Sequence, residues 1–252
     1  MNELTDRTAV VTGSSRGIGA AIATLFAAEG ATVVVHGRDR ADTDSVRDRI
    51  EAQGGRAVSV IADLTHADEV EAMRELVEDQ VGDIDIVVAN AGGSPVRPGP
   101  LEHIDLADWH ASIDANLTAT FLTIKAFLPA MKARGHGSII TMSSAAARRA
   151  GPQSPMAYAA AKAGIEILTK ELAAQTGPDG VRVNCLAPET ILTERNLQMI
   201  PEAIREQMIE HHPIRRLGTP DDVARAALFL ASEQSPWVSG VTLDVAGGSV
   251  LV

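Results

Sequence analysis

The chain contains a single cysteine, Cys185. Neither an internal disulfide nor a cysteine-built metal site can form from it, which suits a reducing cytoplasm. No segment reaches the roughly 18 consecutive apolar residues of a membrane helix. The N-terminus, MNELTDRTAVVTG, lacks the basic and then apolar pattern of a secretory leader. Positive charge is short as well: 22 Lys and Arg stand against 33 Asp and Glu, a formal net charge of -11. That balance argues against nucleic acid and anionic membranes as partners and favours small molecules. Aromatic residues make up 3% of the chain and tyrosine occurs once, so any role that needs a phenol falls on Tyr158.

What is present is a core-forming chain of 252 residues, 45% hydrophobic and 22% charged, long enough for one large α/β domain. Apolar runs alternate with amphipathic stretches. Strands are predicted at Thr8–Thr12, Thr32–His36, Ala57–Ala62, Ile84–Ala89, Ser138–Ser143, Val181–Leu186 and Val241–Val245. Their runs are β-branched and nearly continuous, as expected when helices cover both faces of a parallel sheet. Helices are predicted between them, near Ile18–Glu29, Asp42–Gln53 and Ala67–Val81, then at Leu106–Arg134, Met156–Thr176 and Asp221–Ala231, with helical character over Thr193–His211. Pro129 should end or kink the long fourth helix. The pattern predicts an α/β fold of Rossmann type, a doubly wound parallel sheet of about seven strands in one domain over residues 1–252.

The first strand leads into Thr12-Gly13-Ser14-Ser15-Arg16-Gly17-Ile18-Gly19. Glycines there permit a tight turn and a close approach of backbone to a pyrophosphate, and the next helix offers free N–H groups and a positive dipole end. At the end of the second strand stands Val35-His36-Gly37-Arg38-Asp39. An acid at that place holds ribose hydroxyls, and a basic residue receives a 2′-phosphate. Asp39 suits NAD by spacing. Gly37 at the strand end, with Arg38 and Arg16 nearby, favours NADP(H) over NAD(H), since arginine pairs well with phosphate. Both arginines can equally be solvated surface charges. Asp63, followed by Leu64, can face the adenine amino group or cap the next helix. Asn90-Ala91-Gly92 can pack on the adenosine side or simply make a turn.

Tyr158-Ala159-Ala160-Ala161-Lys162 places tyrosine and lysine at i and i+4, on one helix face. A neighbouring ammonium and a positive nicotinamide would lower the phenol's pKa and make it a usable proton donor or acceptor. Ser144 follows the fifth strand, where a hydroxyl can orient a substrate oxygen, and adjacent Ser143 competes for that role. Asn116, a poor helix former inside a helix, can hold a water, distort the helix, or bond a neighbouring strand.

Together these residues resemble the short-chain dehydrogenase/reductase family, in its single-domain branch near the 3-oxoacyl-acyl-carrier-protein reductases. The resemblance rests on Gly13/Gly17/Gly19, Asp63, Asn90-Ala91-Gly92, Asn116, Ser144, Tyr158 and Lys162. Pro188 with Ile191 and Thr193, and Arg216-Leu217-Gly218-Thr219-Pro220, extend it over nearly the whole chain. It implies hydride transfer between a nicotinamide cofactor and a carbonyl or secondary alcohol. Tyr158 would move the proton, Ser144 would orient the oxygen, and Lys162 would tune Tyr158 and hold the nicotinamide ribose. Asn116 would place a relay water, and Ile191 and Thr193 would contact the carboxamide. Cofactor contacts would come from Gly13, Ser15, Arg16, Gly17, Ile18, Gly19, Arg38, Asp63, Leu64, Asn90, Ala91, Gly92 and Pro188.

Three departures stand out from the family's usual pattern. Ala89 precedes Asn90 where a second asparagine is frequent, Glu189 replaces the glycine after Pro188, and Ala246 stands where an acid is usual. Glu189 is expected to reshape substrate access. Substrate loops are expected at 93–100, 148–157 and 189–212, with Arg97, Arg148 and Arg149 either meeting an anionic substrate or merely solvated. Small residues Ala159, Ala160, Ala163 and Gly164, with the habit of relatives, lead us to expect a homo-oligomer, tetramer or dimer. The alternatives are an NAD(H)-dependent alcohol dehydrogenase, other nicotinamide chemistry such as epimerisation, and a cofactor-binding protein without catalysis, which the intact Ser144/Tyr158/Lys162 set disfavours.

Overall fold

The computed structural model describes residues 2–94, 96–151 and 155–251. Pro95 and residues 152–154, parts of two expected substrate loops, lie outside the described residues. The first half runs β1 (Thr8–Val11), α1 (Gly17–Ala28), β2 (Thr32–Gly37), α2 (Arg40–Ala52), β3 (Arg56–Ile61), α3 (Ala67–Val81) and β4 (Ile86–Ala89). Next come α4 (Leu106–Ile113), a π-helical turn (Asp114–Thr118), α5 (Ala119–Arg134), β5 (Gly137–Met142) and the short α6 (Ala145–Arg148). The chain ends with α7 (Met156–Thr176), β6 (Val181–Pro188), α8 (Glu194–Met199), α9 (Glu202–His211), α10 (Pro220–Ala231) and β7 (Thr242–Val245).

All seven strands are parallel, in the order β3-β2-β1-β4-β5-β6-β7. Successive residues of each strand point to opposite faces, and here both faces are apolar. Val33 and Val35 join the core under α1, α2 and α10, while Val34 joins the one under α3 and α5. Fully burying one such valine contributes roughly 1.5–3 kcal/mol, so a continuous apolar run is what a doubly covered strand requires. The strand order reverses direction between β1 and β4. The exits of those two strands therefore diverge and leave a crevice at the carboxyl end of the sheet.

Helix ends follow local chemistry. Thr219 and Asp222 form a reciprocal capping box at the start of α10, with Pro220 in the first turn. Gly135 closes α5 in the left-handed region at φ 75°.

Pro129 does not end its helix, which continues to Arg134. The carbonyl of Lys125, which a residue with an N–H at 129 would satisfy, lies on an exposed stretch where water can serve it. The irregularity of this stretch falls earlier, in the π turn that carries Asn116.

Candidate active site

The glycine turn after β1 is locked from two sides. Gly13 and Gly17 both adopt positive φ, 62° and 57°. A Cβ on Gly13 would stand 2.8 Å from the Ala91 Cα, so the turn lies directly against the exit of β4. Asn90 bonds that turn rather than open space: its Nδ2 donates to Thr12 O (2.9 Å) and Gly13 O (3.1 Å). The backbone N–H groups of Asn90 and Ala91 both donate to Thr12 Oγ1 at 3.1 Å. Arg16 is the N-cap of α1 and makes no side-chain cap bond, so the first N–H groups of that helix keep their capacity for an anion.

His36 is a member of this site that the sequence did not single out. It is 2% exposed. Its Nδ1 accepts from Gly13 N (3.0 Å), and its Nε2 faces Ala62 O at 3.1 Å. The two contacts together require the neutral ring with the proton on Nε2. Burial lowers its pKa from 6.5 to about 4. The unfolded chain thus takes up a proton near pH 6.5 that the folded chain refuses until about pH 4. Stability is then lost as pH falls through that window, by about 3 kcal/mol in full. Chemical denaturation at pH 7 and pH 4.5 should show this loss, and a His36→Gln variant should show a smaller one.

At the far end of β2 a side chain has no room. A Cβ on Gly37 would meet Thr43 Oγ1 at 2.3 Å. Asp39 is consumed as the N-cap of α2, accepting from Asp42 N at 2.9 Å. Arg38 is 77% exposed at its side chain and stands 3.9 Å from Asp63 Oδ2. Asp63 does not cap α3, whose N-cap is His66. Instead it accepts from Thr65 N (3.0 Å) and Thr65 Oγ1 (2.8 Å), and the backbone bond is the main reason its pKa lies below the usual carboxylate value. The Leu64 side chain belongs to the core, 4% exposed.

The chemical end is built from β5, the π turn and α7. A cleft of about 310 Å³ is lined by the glycine turn, Asn90, Gly92, Ser144, Tyr158, Lys162, Pro188, Ile191 and Thr193. Lys162 is 3% exposed; its Nζ donates to Met142 O (2.7 Å) and lies 5.5 Å from the centre of the Tyr158 ring. Burial pulls its pKa down from 10.5 to about 8.

The Tyr158 pKa is raised, because burial outweighs a hydrogen bond from Ser144 that pulls the other way. The lysine Nζ bonds a carbonyl and faces the ring.

Asn116 is buried and spends both amide groups on the loop after β4: Nδ2 donates to Gly93 O (2.9 Å) and Oδ1 accepts from Gly93 N (3.0 Å). Its Nδ2 also reaches Ser112 O at 2.8 Å, one turn back. A Cβ on Gly92 would meet Asn116 Oδ1 at 2.6 Å and Lys162 Nζ at 3.3 Å, so asparagine and lysine converge on the same glycine.

The two competing serines separate cleanly. Ser143 is 2% exposed and its Oγ donates to Glu166 Oε1 at 2.8 Å. Ser144 caps α6, accepting from Ala146 N at 3.2 Å, and shares its hydroxyl with Tyr158.

A sequence profile described as Enoyl-(Acyl carrier protein) reductase matches residues 13–249. The chain is 39% identical to glucose 1-dehydrogenase 2 of Bacillus subtilis over 251 residues, covering 99% of this chain and 96% of that protein. It is 38% identical to a 3-oxoacyl-acyl-carrier-protein reductase of Synechocystis over 253 residues, with full coverage of both. A solved 7α-hydroxysteroid dehydrogenase, complexed with NADH and 7-oxoglycochenodeoxycholic acid, superposes with a TM-score of 0.93 at 37% identity. That match covers 99% of this chain and 96% of that one. The chain belongs to the short-chain dehydrogenase/reductase family. It is an oxidoreductase of the kind that moves hydride between nicotinamide and a ketone or alcohol.

The departures from the usual pattern of short-chain dehydrogenases have physical counterparts. Ala89 ends β4 at 2% exposure, opposite Thr141. Ala246 packs with Ala145 and Val250 in a small apolar cluster that seats the C-terminal stretch against α6. Glu189 borders the cleft, yet its carboxylate turns to His212 Nε2 (2.9 Å) and Arg149 Nη2 (3.2 Å). Arg148 is neither solvated nor free for substrate. It pairs bidentately with Asp244 (3.0 and 3.3 Å) and with Glu166 (3.0 Å), behind Ser143. At the other wall, a Cβ on Gly17 would stand 3.2 Å from the Thr193 methyl, so the Thr193 side of the cleft closes onto the glycine turn. Among the described residues no helix is long and apolar enough to cross a membrane.

Proposed function

We propose that this protein is an NADP(H)-dependent ketone reductase or secondary-alcohol dehydrogenase of small molecules, working as one domain in the cytoplasm. The observation that carries the reading is the single cleft in which the glycine turn, Lys162, Tyr158 and Ser144 meet. The site fits the cofactor: the first N–H groups of α1 suit its diphosphate, and the absence of side chains at Gly13, Gly17 and Gly92 leaves backbone to line it. Bound there, the nicotinamide supplies or accepts the hydride.

The rest falls to the chain. Tyr158 holds a proton on its hydroxyl and gives it to the carbonyl oxygen during reduction. Ser144 offers a second hydrogen bond to the same oxygen and sets its direction. Lys162 keeps a positive charge beside the phenol and reaches the ribose. Asn116 holds the loop at Gly93 in place, and Pro188, Ile191 and Thr193 border the nicotinamide. Asp63, Asn90, Ala91 and the backbone at Ser15, Ile18, Gly19 and Leu64 complete the cofactor site.

The preference for NADP(H) rests on β2. Gly37 admits no ribose-binding acid and Asp39 is committed to a helix cap, while Arg38 and Arg16 are exposed. An arginine–phosphate contact carries about 1.5–3 kcal/mol. Arg38→Ala should therefore raise the Kd for NADPH by about 10- to 100-fold and leave that for NADH within about twofold. Equal losses for both cofactors would refute the phosphate contact. The activity itself is tested with 3-oxo esters, cyclic ketones, sugars and steroid ketones and their alcohols, each with NADPH and with NADH. Lack of turnover in all of them, with NADPH bound, would favour the non-catalytic alternative.

The same reading includes a homo-oligomer. Phe121 on α5 and Ile167 on α7 are 47% and 58% exposed beside an apolar groove formed by those two helices. Ala160 and Ala163 are exposed on α7, whereas Gly164 packs inside the chain against Leu117.

A further inference from the structure

Residues 190–211 form a flap whose first part lines the cleft through Ile191, Thr193, Arg195 and Asn196. Neither of its helices, α8 or α9, contains a buried residue. Leu197, Met199 and Ile204 are 46%, 64% and 45% exposed. Ile191 at the start of the flap is buried and bridges Gly218; the helices beyond it are not held by packing along their length and open at low cost unless their far end is fixed as well.

Its ends are joined to one another. Glu189 stands just before the flap and His212 just after it, and Glu189 Oε2 meets His212 Nε2 at 2.9 Å. The two side chains are 12% and 6% exposed. The His212 Nδ1 faces Met208 O at 2.7 Å, which aims the ring from within α9. The second carboxylate oxygen, Oε1, accepts from Arg149 Nη2 (3.2 Å), and Arg149 Nη1 donates to Ser249 O (3.0 Å). One carboxylate thus ties both ends of the flap to the loop after α6 and to the C-terminal stretch.

We propose that Glu189 is a positioning residue: with His212 it clasps the base of the flap and so sets how tightly residues 190–211 cover cofactor and substrate. It touches no reacting atom. It acts through Ile191 and Thr193, which follow it within four residues, and through the end of α9, which His212 caps. The inference rests on the proposed function only in taking the flap as the cover of the cleft.

The test uses Glu189→Gln, His212→Gln and the double variant of the full chain. Trypsin cleavage at Arg195 and Arg205, followed by mass spectrometry without any ligand, reports opening of the flap. Each single variant should be cut about tenfold faster than the parent, and the double variant no faster than the worse single, because one contact is lost in all three. Turnover of ethyl acetoacetate with NADPH, split into its constants, should show KM raised by about fivefold and kcat within about twofold, since the reacting groups are untouched. Unchanged cleavage overturns the clasp. So do effects that multiply in the double variant, or a fall in kcat at constant KM. If one single variant does not fold, the other and Arg149→Gln decide the question by the same cleavage assay. Cleavage needs no ligand, so the clasp can fail or stand separately from the proposed activity, which fails if the parent protein neither binds NADPH nor turns over any carbonyl.

Discussion

Tyr158→Phe is expected to lower kcat on the order of 10²- to 10⁴-fold, the usual contribution of a positioned proton donor, while NADPH binds as before. The substitution removes one oxygen and keeps the ring, whose centre lies 5.5 Å from the Lys162 Nζ. The packing around α7 therefore persists and the loss falls on the chemistry. The raised pKa of the phenol sets the pH dependence. A group that stays protonated through neutral pH is ready to donate, so carbonyl reduction should be flat there. Alcohol oxidation needs the deprotonated form and should climb toward alkaline pH, the rise starting at lower pH where a positive nicotinamide helps to remove the proton. Steady-state rates in both directions, with NADPH affinity from fluorescence, check this. A Tyr158→Phe protein with full turnover would remove the tyrosine from the mechanism.

How far all this was legible beforehand follows from what each feature depends on. The sheet was readable because a strand covered on both faces must be apolar at every position, and Val33-Val34-Val35 states this within three residues. The motif at Tyr158 and Lys162 was readable because a helical period puts i and i+4 together. Asn116 was readable as a misfit, since a poor helix former inside a long helix needs a reason, and the π turn with its bonds to Gly93 supplies one.

Other features depend on contacts that no local pattern encodes. His36 ends an apolar strand and looks like an ordinary boundary; only the approach of Gly13, 23 positions earlier, gives its ring a task. Glu189 read only as a bulky acid that reshapes substrate access because its partners, Arg149 and His212, are distant in sequence. Arg148 read as a substrate contact or a solvated charge because its acids lie on α7 and β7. Charges and polar rings are the residues whose meaning is set by tertiary neighbours, and their direction is where the sequence reading was weakest.

Gly19 shows the opposite case, a residue whose need is steric and large. Its φ is not positive, so an alanine there carries no backbone penalty. The obstacle is space. A Cβ would lie 2.3 Å from Gly13 O, 2.6 Å from Asn90 Nδ2 and 2.8 Å from the Ser14 Cα. Two of these atoms are backbone of the glycine turn, and the third is the amide that locks that turn to β4. None can move without shifting the free N–H groups at the start of α1, which the proposed function gives to the diphosphate. Overpacking of this kind costs about 1–3 kcal/mol of stability and sometimes more. A comparable loss of binding geometry corresponds to a Kd for NADPH raised about 100-fold. Gly177 provides the control, because a Cβ there meets nothing within 4 Å and its φ is negative; Gly177→Ala should leave melting and binding unchanged. Gly19→Ala should melt several degrees lower and bind NADPH poorly, by fluorescence titration. If Gly19→Ala bound NADPH as tightly as Gly177→Ala, the turn would not be the place where the cofactor's phosphates approach the chain, and the assignment of the whole crevice to a dinucleotide would lose its steric argument.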